Sequence, residues 1–229
     1  MIAIIGDIHG CYNTLISLYE KLISKYKNID LYSVGDLIDR GNFSREVFDF
    51  IIKYKIKFIL GNHEQMFYDS LMKIKSVFSE SWKYNGYEDT LNSYEGFEKE
   101  KRKHLTMVGT IPLFYNSKDC YISHAGISNR YKDEFINEYS SNLKKFEKVL
   151  KRDYDQPYGV LWNREPLANI GKLQVVGHTI MSEITINTIS NSIYIDTGAY
   201  AGNKLSAVIV ENNNILDKIF VYTRKEDIT

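Results

Sequence analysis

Five short apolar runs in this chain each end in a glycine-marked loop that carries an acid, an amide or a histidine. MIAII (1–5) leads into Gly6-Asp7-Ile8-His9-Gly10, and LYSV (31–34) into Gly35-Asp36-Leu37-Ile38-Asp39-Arg40-Gly41. KFIL (57–60) is followed by Gly61-Asn62-His63-Glu64, CYIS (120–123) by His124-Ala125-Gly126, and LQVV (173–176) by Gly177-His178-Thr179. Such runs, rich in Ile, Leu and Val, read as buried strands. Two amphipathic stretches separate the first three: residues 12–26, with Leu15, Leu18, Tyr19 and Leu22 in helical register, and residues 44–54, with Val47, Phe48, Ile51 and Ile52. The order β-α-β-α-β implies neighbouring parallel strands with right-handed crossovers. Loops at the carboxyl ends of such strands share one sheet edge, where open α/β folds bind ligands. Asp7 and Asp36 are 29 residues apart and Asp36 and Asn62 are 26 apart, one crossover each, so Asp7, His9, Asp36 and Asn62 are expected to meet.

The rest of the chain completes a sandwich. Residues 63–108 look helical and less regular. Strands return at EITI (183–186), SIYI (192–195), LSAVIV (205–210) and KIFVY (218–222), with Asn212-Asn213-Asn214 as a hairpin turn between the last two. Their close spacing leads us to expect antiparallel pairing. The fold class is α/β: two mixed sheets with helices outside them. The 229 residues, with no repeat or linker, suit a single domain over 1–229. Lys+Arg and Asp+Glu are equal at 29, so no long-range field draws the chain to nucleic acid or an anionic membrane. The N-terminal apolar stretch is five residues with no basic segment before it, and Cys11 and Cys120 form no metal-spaced pair. A cytoplasmic protein is expected.

Histidine sharpens the functional reading. Of five histidines, His9, His63, His124 and His178 follow expected strands beside glycine, whereas His104 sits in the basic stretch KEKRKH and is expected to face solvent. Carboxylate, imidazole and amide donors together suit borderline divalent metals such as manganese, iron or zinc. The donors are too many for one ion. A carboxylate shared by two ions about 3.5–4 Å apart would use them all and would supply hydroxide at neutral pH. Arg40 and Arg164 add guanidinium forks suited to phosphate oxygens.

The motifs GDIHG, GDLIDRG, GNHE, HAG and GHT, in this order from residue 6 to 179, together with IDTG (195–198), resemble the phosphoprotein phosphatase family of metallophosphoesterases. The resemblance implies a calcineurin-like sandwich with a helical cap segment at about 63–108. It implies Asp7 and His9 at a first metal, Asp36 bridging, and Asn62, His124 and His178 at a second. His63 then matches the general acid, Asp39 the group that orients it, and Arg40 and Arg164 the phosphate-binding arginines. Two divalent ions, manganese first with iron or zinc as alternatives, would activate hydroxide for attack on a phosphomonoester.

Within the family, lambda-like bacterial and phage protein phosphatases are favoured. Glu64 in GNHE, the element Leu161-Trp162-Asn163-Arg164-Glu165 and the stretch Trp82-Lys83-Tyr84-Asn85-Gly86 resemble that branch. The expected substrate is a phosphoserine or phosphothreonine protein or peptide, with phosphotyrosine and small phosphoesters also in view. The alternative is the symmetrical bis(5'-nucleosyl)-tetraphosphatase branch. Tyr87 departs from the usual second glycine of the cap stretch and is read as a surface tyrosine or a groove residue. Asp196 is a partner for a ligand histidine or a plain turn residue. Tyr200 is a candidate to reach the phosphate, Glu64 an outer hydrogen-bond partner or helix cap, and Cys11 a packing residue or a thiolate at a helix start.

Overall fold

A computed structural model describes residues 1–135 and 139–228. Chain order runs β1 (Ile2–Ile5), α1 (Tyr12–Lys25), β2 (Asp30–Ser33), α2 (Ser44–Lys53) and β3 (Lys57–Phe58). The helical segment follows: α3 (Asn62–Leu71), α4 (Val77–Ser81), a 3-10 turn (Trp82–Tyr84), α5 (Tyr87–Ser93) and α6 (Glu98–Val108). Next come β4 (Phe114–Asn116), β5 (Tyr121–Ser123), α7 (Tyr139–Arg152), β6 (Gln174–Val176), β7 (Thr185–Asn187), β8 (Ser192–Tyr194), β9 (Lys204–Glu211) and β10 (Asn214–Tyr222). One sheet has the order β10-β9-β1-β2-β3 and the other β4-β5-β6-β8-β7.

Strand alternation sorts side chains between layers. Ile2 and Ile4 of β1 join Tyr32, Ile122, Val175, Ile193, Val208 and Val210 in the cluster between the sheets. Ala3 and Ile5 turn the other way and pack with Leu15, Leu18 and Leu22 of α1 and Val47, Phe48 and Ile51 of α2. Tyr121 faces away from the sandwich, with Leu143, Phe146 and Leu150 of α7. Each wholly buried aliphatic of this kind contributes about 1.5–3 kcal/mol. In α2 the buried stripe includes Phe50 in place of Ile52.

Two expectations change, and one strand was not foreseen. The late strands are not all antiparallel. β9 pairs antiparallel with β10 and β7 with β8, but β5, β6 and β8 run parallel. The reason is topological: β7 lies at the sheet edge, and β8 folds back between it and β6, so SIYI aligns with LQVV. Strand β4 is too short and too little patterned to show in the sequence. His104 is buried, because it and Val108 form the inward side of α6. Its ring stacks on Phe48 with centroids 4.9 Å apart, and Nδ1 lies 2.8 Å from the Tyr94 hydroxyl. The Asn212 turn forms as expected, with φ of 49° at Asn212 and 63° at Asn213. No helix among the described residues is long and apolar enough to cross a membrane.

The first helix is capped from the far end of the chain. Cys11 precedes α1 and offers no side-chain cap. Asp227 replaces it: Oδ1 accepts from the Asn13 backbone N–H at 2.9 Å, and Oδ2 from the Thr14 N–H at 2.8 Å and the Thr14 hydroxyl at 2.5 Å. A carboxylate at a helix N-terminus also meets the positive end of the helix dipole. Asp227→Ala is therefore expected to cost about 2 kcal/mol, as a lower urea midpoint with an unchanged slope. An unchanged midpoint would contradict the capping role.

Candidate metal centre

The six expected ligands lie just past the carboxyl ends of β1, β2, β3, β5 and β6, and all six are buried. Backbone hydrogen bonds knit the loops together. The Ile8 and His9 N–H groups donate to Asp36 O at 3.0 and 2.9 Å, and the Gly177 N–H donates to His124 O at 2.9 Å. Two glycines are required by crowding: a Cβ on Gly61 would collide with Asp36 Oδ1, and one on Gly177 with Asp7 Oδ1. Glu64 accepts from the Asp36, Leu37 and Gly61 N–H groups at 2.8, 2.8 and 3.0 Å. It therefore holds the Asp36 loop against the start of α3. Burial pushes its carboxyl up to about 8, with Asp36 adding to the shift.

Two donor trios share Asp36. Ligand atoms of His9, Asp36 and His63 lie within 4.8 Å of one another, and so do those of Asp36, His124 and His178. Asp36 Oδ2 is 3.5 Å from His9 Nε2 and 3.4 Å from His124 Nε2. Asn62 Oδ1 is 2.8 Å from His124 Nε2 and 3.0 Å from His178 Nδ1. Asp7 belongs to neither trio. Its Oδ2 accepts from the His178 N–H at 2.9 Å, and its Oδ1 has no partner.

Whether this set fits divalent cations can be tested on its own polar groups. Asp7 Oδ1 and His178 Nε2 are buried without hydrogen-bond partners among the described residues. His9 Nδ1 donates to Ile38 O and His124 Nδ1 to Val34 O, both at 2.8 Å, which turns each Nε2 towards Asp36. Arg40 Nη1 lies 3.0 Å from His9 Nε2, at the lone pair a cation would use. Burial pushes Asp7 well above the usual carboxylate range, with Asp196 and Asp36 adding repulsion. Burial also acts to raise Asp36, but His124 and His63 outweigh it and hold Asp36 well below that range. Against its own burial, His124 is pulled up to about 10 by Asp36 and Asp7. His9 and His178 are driven well below 6.5 by burial first, then by neighbouring histidines, so both offer neutral lone pairs. Orphaned donors, crowded anions and neutral imidazoles fit divalent ions, and hard oxygens with borderline nitrogens suit manganese, iron or zinc.

The remaining expected residues gather around the same cavity of about 330 Å³, lined by His9, Asp36, Arg40, Asn62, His63, Arg164 and His178 among others. His63 Nδ1 is 2.6 Å from Asp39 Oδ2. Burial drives His63 down to about 3 and Asp39 well above the carboxylate range. Burial thus disfavours a lone charge on either member of the hydrogen-bonded pair. Asp196 and Tyr200 also line the cavity; burial raises Asp196 to about 6. The Arg40 guanidinium sits 4.3 Å from the centre of the Tyr200 ring, which also meets His9 edge-on at 5.0 Å. Trp162, Asn85, Thr179 and Ile180 complete the wall. Asn85 was named only as part of the Trp82–Gly86 stretch, and Ile180, an apolar residue, gave no sequence signal. Tyr87 is half-buried against Trp82, and Cys11 is buried with its thiol pushed up by burial.

The chain matches the family model described as calcineurin-like phosphoesterase over residues 1–215. It belongs to that family. Divalent metal ions go with metallophosphoesterases, in keeping with the two donor trios. Among curated relatives of this phosphoesterase, serine/threonine-protein phosphatase 2 of Salmonella typhimurium is 29% identical, over 89% of each chain. Bis(5'-nucleosyl)-tetraphosphatase PrpE [asymmetrical] of Bacillus subtilis is 31% identical, over 89% of this chain and 88% of its own. The cold-active protein-tyrosine phosphatase of a Shewanella species shares the fold, with a TM-score of 0.61 and 18% identity over 97% of this chain and 80% of that one.

Charge crowding predicts a trade of stability against metal uptake. In chelator at mildly alkaline pH, Asp7→Asn should unfold at higher urea, a gain of roughly 1 kcal/mol or more. The stabilisation that manganese gives the parent protein should shrink in the variant. A variant less stable without metal and equally stabilised by manganese would contradict this.

Proposed function

We propose that this phosphoesterase is a protein phosphatase acting on phosphoserine and phosphothreonine, with manganese as its working metal. The observation that carries the reading is the meeting of the Asp36-centred trios, Arg40, Arg164 and the Asp39–His63 pair around one cavity. Asp7 and His9 would hold one ion and Asn62, His124 and His178 the other, with Asp36 between them. Bound there, the ions would supply activated water at neutral pH and offset charge on the phosphate. Arg40 and Arg164 grip phosphate oxygens through guanidinium N–H groups, and Tyr200 keeps the Arg40 plane in place. As water oxygen bonds to phosphorus, the ester P–O bond breaks, and the leaving oxygen takes the proton held by the Asp39–His63 pair. Alcohol and inorganic phosphate are the products.

Support for the protein substrate comes from the Salmonella relative's name, the Trp82–Gly86 cap stretch and a cavity that suits one phosphorylated side chain. A second reading has its own support in the 31% identical PrpE relative. Because that protein is named asymmetrical, the nucleotide alternative changes from a symmetrical to an asymmetrical cut. A manganese-loaded panel separates them. Phosphoserine and phosphothreonine peptides turned over faster than diadenosine tetraphosphate support the first reading. Diadenosine tetraphosphate cleaved faster, to ATP and AMP, replaces it with the second.

The proton-donor role has its own test. His63→Asn should retain its manganese and lose about 10²–10⁴-fold on a phosphoserine peptide. The loss should be much smaller on p-nitrophenyl phosphate, whose leaving group needs little proton assistance. Equal losses on both substrates would remove His63 from that role.

A further inference from the structure

The carboxylate that holds His63 is itself held by the helical segment between β3 and β4. Trp82 Nε1 donates to both oxygens of Asp39, at 3.0 and 2.9 Å. The Thr90 hydroxyl donates to Asp39 Oδ1 at 2.5 Å, and Thr90 Oγ1 accepts from the Asp39 backbone N–H at 2.9 Å. Ser44 adds a second acceptor for that N–H at 3.1 Å and lies 3.0 Å from the Thr90 hydroxyl. Trp82, Thr90, Ser44 and Asp39 are all buried. The backbone shows why so many contacts gather here. Asp39 and Arg40 both lie in the left-handed region, with φ of 70° and 72°. For residues other than glycine such conformations cost of order 1–3 kcal/mol each and persist only where the surroundings enforce them. The Arg40 N–H is directed at Gly86 O, 3.4 Å away, so the same segment faces both strained residues.

We propose that Trp82 and Thr90 are positioning residues for proton transfer: they fix the Asp39 carboxylate so that Oδ2 holds the His63 ring in its donating orientation. The inference rests on the proton-donor reading of His63. Neither residue lines the cavity, which this segment reaches through Asn62, His63 and Asn85 instead. The helical segment is thereby more than a wall beside the substrate. Two of its side chains complete a chain of hydrogen bonds, Trp82 and Thr90 to Asp39 to His63. A simple packing role would predict lost stability and an equal loss of rate on every substrate. A positioning role predicts a loss that depends on how much proton help the leaving group needs.

The test uses the manganese-loaded full chain with Trp82→Phe, Thr90→Val and Thr90→Ser. Trp82→Phe keeps an aromatic ring beside Phe67 and Tyr87 and removes the N–H. Thr90→Val removes the hydroxyl at nearly constant volume, and Thr90→Ser retains it. Trp82→Phe and Thr90→Val should each lower kcat on a phosphoserine peptide by about tenfold or more, with KM little changed. On p-nitrophenyl phosphate the loss should be much smaller, and Thr90→Ser should stay near the parent on both substrates. Added to His63→Asn, neither substitution should lower kcat further, because the group they position is gone. If His63→Asn discriminates between leaving groups but Trp82→Phe and Thr90→Val do not, the positioning role is overturned alone. If His63→Asn itself shows equal losses, the proton-donor reading fails and takes this inference with it. Should Thr90→Val not fold, Trp82→Phe decides by the same comparison.

Discussion

The structure is organised around one electrostatic problem: three carboxylates, Asp7, Asp36 and Asp196, are buried together beside four imidazoles. Water cannot solvate them there, and the imidazoles neutralise only part of the charge. Asp36 is the pivot, since both donor trios include it. Divalent cations bound there would resolve the conflict in a way that nearby protons cannot. Such cations would also attract phosphate, and the Arg40 and Arg164 guanidinium groups line the same cavity. On this view, an arrangement that is unfavourable in the empty protein is what makes it suitable for phosphoester chemistry.

Holding such groups together requires unusual backbone as well as burial. His9, Asp36, Asp39, Arg40 and His178 all have φ between 48° and 72°. Left-handed conformations let short loops leave parallel strands and turn at once, so side chains from different strands point into one volume. The strain is countered by local contacts: Glu64 fastens the Asp36 loop, and Thr90 with Ser44 fastens Asp39. This links the sandwich, which places the six expected ligands, to the helical segment, which holds the Asp39–His63 pair.

Much of the fold and site was legible in the sequence because both follow from short-range rules. Strand ends marked by glycine located Asp7, Asp36 and Asn62 on one sheet and His124 and His178 on the other, and helical spacing assigned α1 and α2 with most of their buried faces, Tyr19 and Ile52 excepted. What escaped depends on long-range choice. Nothing local in SIYI says that it enters the sheet beside LQVV and so runs parallel to it. His104 sits among charged residues, and only the packing of α6 on Phe48 makes it buried. Trp82 was visible as part of a motif, but the grip that it and Thr90 have on Asp39 spans 43 and 51 residues of chain. Asp227, which caps α1 from 213 residues away, gave no signal at all.

The central claim is that Asp36 is shared between two cations. Anomalous diffraction from crystals grown with manganese tests it most directly. The account predicts two peaks about 3.5–4 Å apart, with the Asp36 carboxylate between them and His9 on one side, His124 and His178 on the other. A single peak, or two peaks that Asp36 does not touch, would contradict it.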